Sequence, residues 1–184
     1  MRGQFETNVF GPLRVTTALL PHFRERRAGI NVFISSLSGF VGHALTGPYA
    51  SSKFALEGMV ESLWRETQPF GIQTLLIQPG RFRTLLLSDT NRRDNSSQIP
   101  DYAEAVEKHY ANLDAESQNQ PGEVEKGVSI MVDLVRKEGV AEGREVPFRF
   151  PLGTDCYEES KNKLDEMVKV AEEWKHIIIS TDHT

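Results

Sequence analysis

The chain has 184 residues, 39% of them hydrophobic, and a formal net charge of -5. This length predicts one domain, residues 1–184, with enough apolar side chains for a core, and the acidic balance argues against a nucleic-acid partner. No apolar run approaches the ~20 residues of a membrane span, the amino terminus lacks the apolar stretch of a signal peptide, and the single cysteine, Cys156, excludes an intrachain disulfide. We therefore expect a cytoplasmic protein with no membrane partner.

The first half of the chain alternates between helical and extended patterns. Residues 1–26 carry apolar side chains at helical spacings, and Pro21 is expected to kink or end that helix. Residues 30–34 and 73–78 are short apolar runs that predict buried strands. Between them, over residues 49–67, the apolar side chains recur with a period of about 3.6, which predicts another helix. The order helix, strand, helix, strand favours an α/β fold with parallel strands.

The second half has a looser pattern. The polar stretch between Thr84 and Pro100 is longer than most connections, and loops of that length are typical of lids and binding segments. The elements predicted beyond it are helices at 101–116 and 121–138, a strand at 144–151 and an amphipathic helix at 155–175.

Three side chains near the start of the second long helix carry the candidate chemistry. Tyr49 and Lys53 lie one helical turn apart, and Ser36 lies thirteen residues before Tyr49. The lysine ammonium favours the phenolate, so we expect the pKa of Tyr49 to fall from ~10 towards neutrality, where a phenol can act as general acid or base. A serine hydroxyl beside it can hydrogen-bond the oxygen of a carbonyl or alcohol substrate.

Four segments, in this order, resemble the motifs of the short-chain dehydrogenase/reductase family. They are Thr7-Asn8-Val9-Phe10-Gly11, Ser36, Tyr49-Ala50-Ser51-Ser52-Lys53 and Pro79-Gly80-Arg81-Phe82-Arg83-Thr84. They cover residues 1–84, the expected catalytic core, and residues 85–184 are similar to the family's substrate-binding loop, helices and C-terminal extension. The resemblance implies a partial Rossmann-like, doubly wound three-layer sandwich, a NAD or NADP cofactor, and interconversion of a small, apolar ketone and a secondary alcohol.

The resemblance also assigns roles to individual residues. Tyr49 would exchange a proton with the substrate oxygen, Ser36 would polarise that oxygen, and Lys53 would depress the Tyr49 pKa and bond the nicotinamide ribose. Asn8 would hold a backbone group and a water that links Lys53 to solvent, unless it only satisfies a carbonyl of its own helix. The nicotinamide pocket would be shaped, largely through backbone groups, by Pro79, Gly80, Phe82 and Thr84.

Several candidates retain a competing interpretation. Ser35 and Ser38 compete with Ser36 for the substrate, and the thirteen-residue spacing favours Ser36. His43 faces either substrate or solvent in the loop before the helix. An apolar wall for a bulky substrate, with ordinary packing as the equal alternative, would comprise Phe40, Val41, Leu45, Leu85, Leu86 and Leu87.

Other patterns in the chain are interpreted as carrying no function. Tyr157 and Lys161 repeat the Tyr-x-x-x-Lys spacing, but Arg144 lies thirteen residues upstream, so we predict a solvated helix face. The arginine clusters at 24–27 and 92–93 are interpreted as solvated surface, and Asn95-Ser96-Ser97 as a chance match to a glycosylation acceptor. The dispersed histidines and lone cysteine give no metal signature.

The chain departs from the family in one large respect. It contains no Gly-rich phosphate-binding turn of the kind that follows the first strand of a dinucleotide fold. The resemblance therefore implies an N-terminally truncated sheet that lacks its first four strands, which would leave the outer edge of the strand at 30–34 bare.

Two alternatives to a redox enzyme follow from that departure. The first is a cofactor-free acid/base enzyme, such as an isomerase or cyclase, that uses Tyr49, Ser36 and Lys53. The second is a non-catalytic interaction module, a homodimer formed through the helices that carry Asn8 and Tyr49.

Overall fold

The computed structural model describes residues 1–88, 91 and 99–183. The α-helices are α1 (Arg2–Phe5), α2 (Gly11–Arg26), α3 (Gly47–Thr67), α4 (Ala103–Glu116), α5 (Val124–Arg136), α6 (Thr154–Glu173) and α7 (Lys175–Ile178). A π-helical turn, Glu6–Phe10, joins α1 to α2. The strands are β1 (Gly29–Ile34), β2 (Ile72–Pro79) and β3 (Arg149–Leu152). The arginine pair at 92–93 and the glycosylation match at 95–97 lie outside the described residues.

The three strands form one parallel sheet in the order β1-β2-β3. The register pairs Phe33 of β1 with Leu76 of β2, and Ile77 of β2 with Phe150 of β3. Helix α3 makes the crossover from β1 to β2, so the carboxyl ends of both strands meet at one edge of the sheet. The predicted order of elements and the parallel pairing are confirmed.

Strand β2 carries the core because its side chains alternate between the two faces of the sheet. On one face Leu75 and Ile77 pack with Leu134 of α5 and Leu152 of β3. On the opposite face Leu76 packs with a second cluster made of Phe33, Leu56 and Val60. Helices on both faces of a buried parallel strand make the three-layer arrangement predicted from the sequence.

Two predicted boundaries are wrong for reasons of proline chemistry. Pro21 does not end the helix as predicted: it lies inside α2, which continues to Arg26, because proline removes only its own N–H donor and the turns on either side keep their hydrogen bonds. The helix ends instead where Arg27 adopts a left-handed conformation with φ of 54°. Strand β3 begins only at Arg149, after Pro147, which has no N–H to donate to a ladder.

The outer edge of β1 is unpaired within the part of the chain that the structure describes. Val32 and Ile34, which alternate with the buried Phe33, are 39% and 48% exposed. The prediction that this strand has a bare, apolar edge is therefore confirmed for the described residues.

Candidate active site

The predicted catalytic residues meet at the carboxyl edge of the sheet. Ser36 comes two residues after the end of β1, and Tyr49 lies in the first turn of α3, where Pro48 suits the start of a helix because no N–H partner is needed there. The Ser36 hydroxyl lies close enough to the Tyr49 phenol to lower its pKa through a side-chain interaction, and it accepts a hydrogen bond from the N–H of Ser38 at 3.1 Å. The buried Ser35 instead donates its hydroxyl to Glu57 at 2.6 Å, which leaves Ser36 as the serine beside the phenol.

The pKa of Tyr49 shifts in the direction opposite to the one predicted. Burial raises the pKa of the phenol, and the interaction with the Ser36 hydroxyl opposes that shift only in part. The prediction that Lys53 lowers the pKa of Tyr49 assumed a close, solvated ion pair between the ammonium and the phenolate. In the structure the Lys53 Nζ lies 5.9 Å from the centroid of the Tyr49 ring, so desolvation outweighs the attraction.

Lys53 is directed towards the end of β1. Its Nζ donates a hydrogen bond to the carbonyl oxygen of Ile34 at 3.0 Å. Burial lowers the pKa of Lys53, and the carboxylate of Glu57, one helical turn further along α3, partly restores it. The ammonium is thus held at the carboxyl edge of the sheet, beside Tyr49.

Asn8 lies within the π-helical turn, a type of turn that is frequent at functional sites. Its Nδ2 donates to the hydroxyl of Ser52 at 3.0 Å, and Ser52 in turn donates to the carbonyl oxygen of Tyr49 at 2.7 Å. The amide therefore contacts α3 and not a carbonyl of its own helix. The proton-relay role of Asn8 stays a prediction.

A buried carboxylate beneath these residues was missed by the sequence analysis. Glu57 is 3% exposed, and besides Ser35 it accepts two hydrogen bonds at 2.9 Å from the amide of Gln78. Arg149 of β3 lies 3.4 Å from the same carboxylate. A Cβ on Gly39 would lie 2.2 Å from Glu57 Oε1, so only glycine fits there. The signal in the sequence is a glutamate on the apolar face of a helix, one turn after Lys53.

The turn after β2 is built around Asp155. The backbone N–H of Arg81 donates to Asp155 Oδ2 at 2.7 Å, and a Cβ on Gly80 would lie 2.1 Å from Asp155 Oδ1. The Phe82 ring packs into the core beside α5, while the Thr84 hydroxyl accepts a hydrogen bond from the N–H of Leu86 at 3.2 Å. Pro79 is the last residue of β2 and pairs with Leu152 of β3, while Gly80 and Phe82 present backbone rather than side chains at this edge.

The candidate substrate residues occupy different environments. The Phe40 ring lies 5.0 Å from Lys163 Nζ and 5.9 Å from the Arg149 guanidinium. His43 Nε2 lies 2.6 Å from Glu159 Oε2. Leu85 is 69% exposed. The first two side chains are held by charged partners, and the third is open to solvent.

The second Tyr-x-x-x-Lys match is a solvated helix face, as predicted. Tyr157 is 61% exposed on α6, and Lys161 forms an ion pair with Asp165 one turn further on.

A cavity of about 560 Å³ adjoins the candidate site. Asn8, Lys53 and Ile34 are among its lining residues, together with residues of α2 and the rest of β1. Lys53 lines this cavity and Tyr49, beside Lys53, does not; the amino group of the first and the hydroxyl of the second are groups that can hydrogen-bond a ribose, so these two residues fit the nicotinamide end of such a cofactor. No group of metal-ligating side chains occurs in the described residues, and no helix of that part is long and apolar enough to cross a membrane.

Sequence comparison agrees with this geometry. The family described as short chain dehydrogenase matches residues 1–95. The chain belongs to this family. It is 35% identical over 155 residues to the uncharacterized oxidoreductase YusZ of Bacillus subtilis, covering 83% of this chain and 53% of the relative. It is also 34% identical over 150 residues to a 3-ketodihydrosphingosine reductase of Bacteroides thetaiotaomicron, and the match covers 82% of this chain and 53% of that relative. The chain thus spans about half the length of these curated relatives.

Known structures of short-chain dehydrogenases share the fold. A crystal structure from Streptomyces avermitilis superposes with a TM-score of 0.76 at 34% identity, over 97% of this chain and 61% of that one. Another, from Burkholderia cenocepacia and in complex with NADP, has a TM-score of 0.64 over 94% of this chain and 57% of that one. At 16% identity this second structure supports the fold alone.

Proposed function

We propose that the protein is an NAD(P)-dependent oxidoreductase that interconverts a ketone and a secondary alcohol, with Tyr49 as the proton donor or acceptor. The observation that carries the proposal is the proximity of the Tyr49 phenol, the Ser36 hydroxyl and the Lys53 ammonium at the carboxyl edge of a parallel sheet, in a chain of this family. Ligands of open α/β sheets bind at that edge.

The protonation state of Tyr49 favours the reductive direction. Because burial raises its pKa, the phenol is protonated in neutral solution, which is the state that can donate to a carbonyl oxygen. When bound, NADH or NADPH supplies the hydride that adds to the carbonyl carbon. Tyr49 then gives its proton to the oxygen as the alcohol forms, Ser36 orients that oxygen, and the relay through Lys53 and Asn8 returns a proton from solvent.

The cofactor would be held at its nicotinamide end by this chain. Lys53 and Tyr49 would bond the ribose, and the backbone of Pro79, Gly80, Phe82 and Thr84 would line the nicotinamide. Membership of the short-chain dehydrogenase family supports a nicotinamide dinucleotide as the cofactor class. The pyrophosphate would need groups other than a Gly-rich turn, which this sequence does not contain.

The substrate is proposed to be an apolar ketone. Leu85 and Leu86 are 69% and 60% exposed on the segment that follows the Thr84 turn, and apolar side chains left open near a polar site are typical of a ligand wall. Phe40 and His43 are less suitable, because Lys163 and Glu159 already engage them. The relative named as a 3-ketodihydrosphingosine reductase is consistent with a keto substrate.

The test is a titration of the purified chain with NADPH and then NADH, followed by the thermal midpoint and tryptophan fluorescence. A ligand at 100 times its dissociation constant stabilises the folded state by ~2.7 kcal/mol. Reduction of a panel of apolar ketones is then measured for the chain and two variants. We expect Tyr49→Phe to abolish turnover while nucleotide binding persists, and the matched control Tyr157→Phe to leave turnover unchanged.

Other outcomes separate the alternatives. A folded chain that binds neither nucleotide would refute redox activity. Cofactor-free isomerisation that depends on Tyr49 would assign the site to acid/base chemistry instead. Self-association that is unchanged in Tyr49→Phe, with neither nucleotide binding nor turnover, would assign the chain to an interaction role.

A further inference from the structure

Helix α6 contacts the loop that joins the two hydroxyl-bearing residues of the candidate site. Ser36 precedes this loop, and Tyr49 follows it in the first turn of α3, so the path of the loop decides how the two side chains meet. His43 Nε2, in the middle of the loop, lies 2.6 Å from Glu159 Oε2 of α6. Lys163, one turn further along α6, donates to a backbone carbonyl oxygen of the same loop. The loop is therefore held from outside by α6.

The part of the loop nearest to Tyr49 has a strained backbone. Leu45 has a φ of 65°, in the left-handed region that residues with a Cβ rarely adopt. Such a conformation costs free energy and persists only where the surrounding structure holds it. The Thr46 hydroxyl donates to the carbonyl oxygen of His43 at 2.9 Å, and the His43 side chain is in turn held by Glu159. Release of His43 would allow Leu45 to relax and the start of α3 to shift.

Glu159 also contacts the turn after β2. While its Oε2 binds His43, its Oε1 lies 3.8 Å from Arg81 Nη2. One carboxylate thus joins the segment before Tyr49 to the turn whose backbone is proposed to line the nicotinamide. These two segments carry the two halves of the proposed reaction, the proton and the hydride.

Arg81 is itself fixed at both ends of the residue. Its backbone N–H donates to Asp155 Oδ2 at 2.7 Å, and its Nε lies 3.3 Å from Oε1 of Glu116, the last residue of α4. The guanidinium therefore lies between two carboxylates, those of Glu116 and Glu159. Basic and acidic groups alternate along the whole series from His43 to Glu116.

The four side chains of this series are partly withheld from water. His43, Glu159 and Glu116 have 33%, 30% and 27% of their side chains exposed, and Arg81 has 50%. Isolated ion pairs on a protein surface contribute little, but several charges that form a network restrain one another more effectively. The position of Glu159 inside such a network, with both oxygens engaged, makes it the residue that restrains the loop.

We propose that Glu159 is a positioning residue for the proposed reaction. It holds the strained segment before Tyr49 through His43, and it fixes that segment relative to the turn after β2 through Arg81. The phenol then stays at reacting distance from a substrate that is bound at this turn. The catalytic consequence rests on the proposed function, whereas the restraint on the loop belongs to the folded chain and is measurable without turnover.

The first experiment is hydrogen exchange of the whole chain, followed by mass spectrometry. The amides of Thr46 and Ala50 are hydrogen-bonded within residues 42–50, so peptides from this segment report its opening. We expect Glu159→Gln to speed exchange there about fivefold, because a partly buried charged contact is lost. The matched control is Glu158→Gln, which removes the same charge from the exposed neighbouring residue and should leave exchange unchanged. Peptides from β2 should exchange equally in all three chains, which excludes global destabilisation.

A second substitution tests whether Glu159 acts through the strained backbone. Asparagine adopts the left-handed conformation more readily than leucine does. Leu45→Asn, added to Glu159→Gln, should therefore return the exchange of residues 42–50 to near the wild-type rate. A role of Glu159 elsewhere in the fold would not respond to a change at position 45.

Kinetics then test the catalytic consequence. In a chain that reduces a ketone, Glu159→Gln should lower kcat about fivefold with little change in the KM for the ketone, because the pocket remains and the phenol is displaced. His43→Gln should have the same effect. The double variant should be no slower than either single variant, since both remove one contact.

Several results would overturn the proposal. Equal exchange of residues 42–50 in Glu159→Gln and Glu158→Gln would remove the restraint, and a failure of Leu45→Asn to restore slow exchange would remove the role of the strained backbone. Additive losses in the double variant would show that His43 and Glu159 act separately. A wild-type chain that reduces no ketone would overturn the proposed function and the catalytic role of Glu159, while faster exchange in Glu159→Gln would still support the restraint on the loop.

Discussion

Replacement of Glu57 tests whether the buried carboxylate holds the candidate site together. Glu57→Ala removes the acceptor for Ser35 and Gln78 and the partner of Arg149, all of which remain in place. Ser35 follows β1, Gln78 lies in β2 and Arg149 lies in β3. The Glu57 side chain of α3 therefore connects all three strands of the described sheet.

The expected cost follows from the groups left without a partner. A buried donor that loses its acceptor costs about 1–3 kcal/mol, and removal of one member of a buried ion pair costs about 3–5 kcal/mol. Arg149 is only partly buried, with 32% of its side chain exposed. Water can therefore solvate its guanidinium when Glu57 is removed, which offsets part of the lost stability. We therefore expect Glu57→Ala to lower the free energy of unfolding by about 3–5 kcal/mol in total. Glu57→Gln, which keeps one acceptor oxygen, should cost about 1–3 kcal/mol.

The assay is urea-induced unfolding followed by tryptophan fluorescence, since Trp64 of α3 stacks on Phe148 beside β3 at a ring distance of 4.5 Å. With a slope of about 2 kcal/mol/M, the loss in Glu57→Ala corresponds to a midpoint lower by about 2 M. The matched control is Glu61→Ala, one turn further on, which removes surface pairs with Arg65 and Arg149 and should cost less than about 1 kcal/mol. A Glu57→Ala midpoint equal to that of Glu61→Ala would refute the reasoning, and Glu57→Gln provides the measurement if the alanine variant does not fold.

Two further predictions concern the site. Because burial raises the pKa of Tyr49, the folded chain holds the phenol proton more tightly than the unfolded chain does. The stability that this proton adds is fully present below the unfolded pKa of ~10 and is lost as pH rises through the folded pKa. Above pH ~10 the wild-type chain should therefore lose stability more steeply than Tyr49→Phe in urea unfolding, and equal slopes would contradict the burial of the phenol. Gly80→Ala should cost about 1–3 kcal/mol because its Cβ would overlap the Asp155 carboxylate. Gly58→Ala, at a helix position with no atom within 4 Å of the new Cβ, should be neutral or stabilising. A larger loss of stability in Gly58→Ala than in Gly80→Ala would contradict this prediction.

The elements of the sheet layer were predictable because their signals are local. The period of α3 and the apolar runs of β1 and β2 each lie within about twenty residues of sequence, and the parallel order follows from their alternation. The start of β3 was misplaced because Phe148 continues the alternation of Phe150, yet Pro147 prevents the ladder from extending further back.

The candidate site was predictable in its residues but not in its electrostatics. The spacing along the sequence identified Tyr49, Lys53 and Ser36, and that spacing does not depend on the fold. The direction of the Tyr49 pKa depends on how much water the folded chain removes from the phenol, and no spacing encodes that quantity. The same limit applies to Glu57, whose partners Ser35, Gln78 and Arg149 are 22, 21 and 92 residues away and meet only in the folded chain.

The π-helical turn at Glu6–Phe10 accommodates one extra residue without changing which faces α1 and α2 present. A π turn holds about one residue more than an α-helical turn, whereas one extra residue in a regular α-helix would rotate everything before it by about 100°. Deleting one residue from Glu6–Phe10 would therefore restore a regular α-helix and leave the relative orientation of α1 and α2 nearly unchanged. The side chains within the turn would shift instead, and among them is Asn8, which makes the contact between this turn and Ser52 of α3.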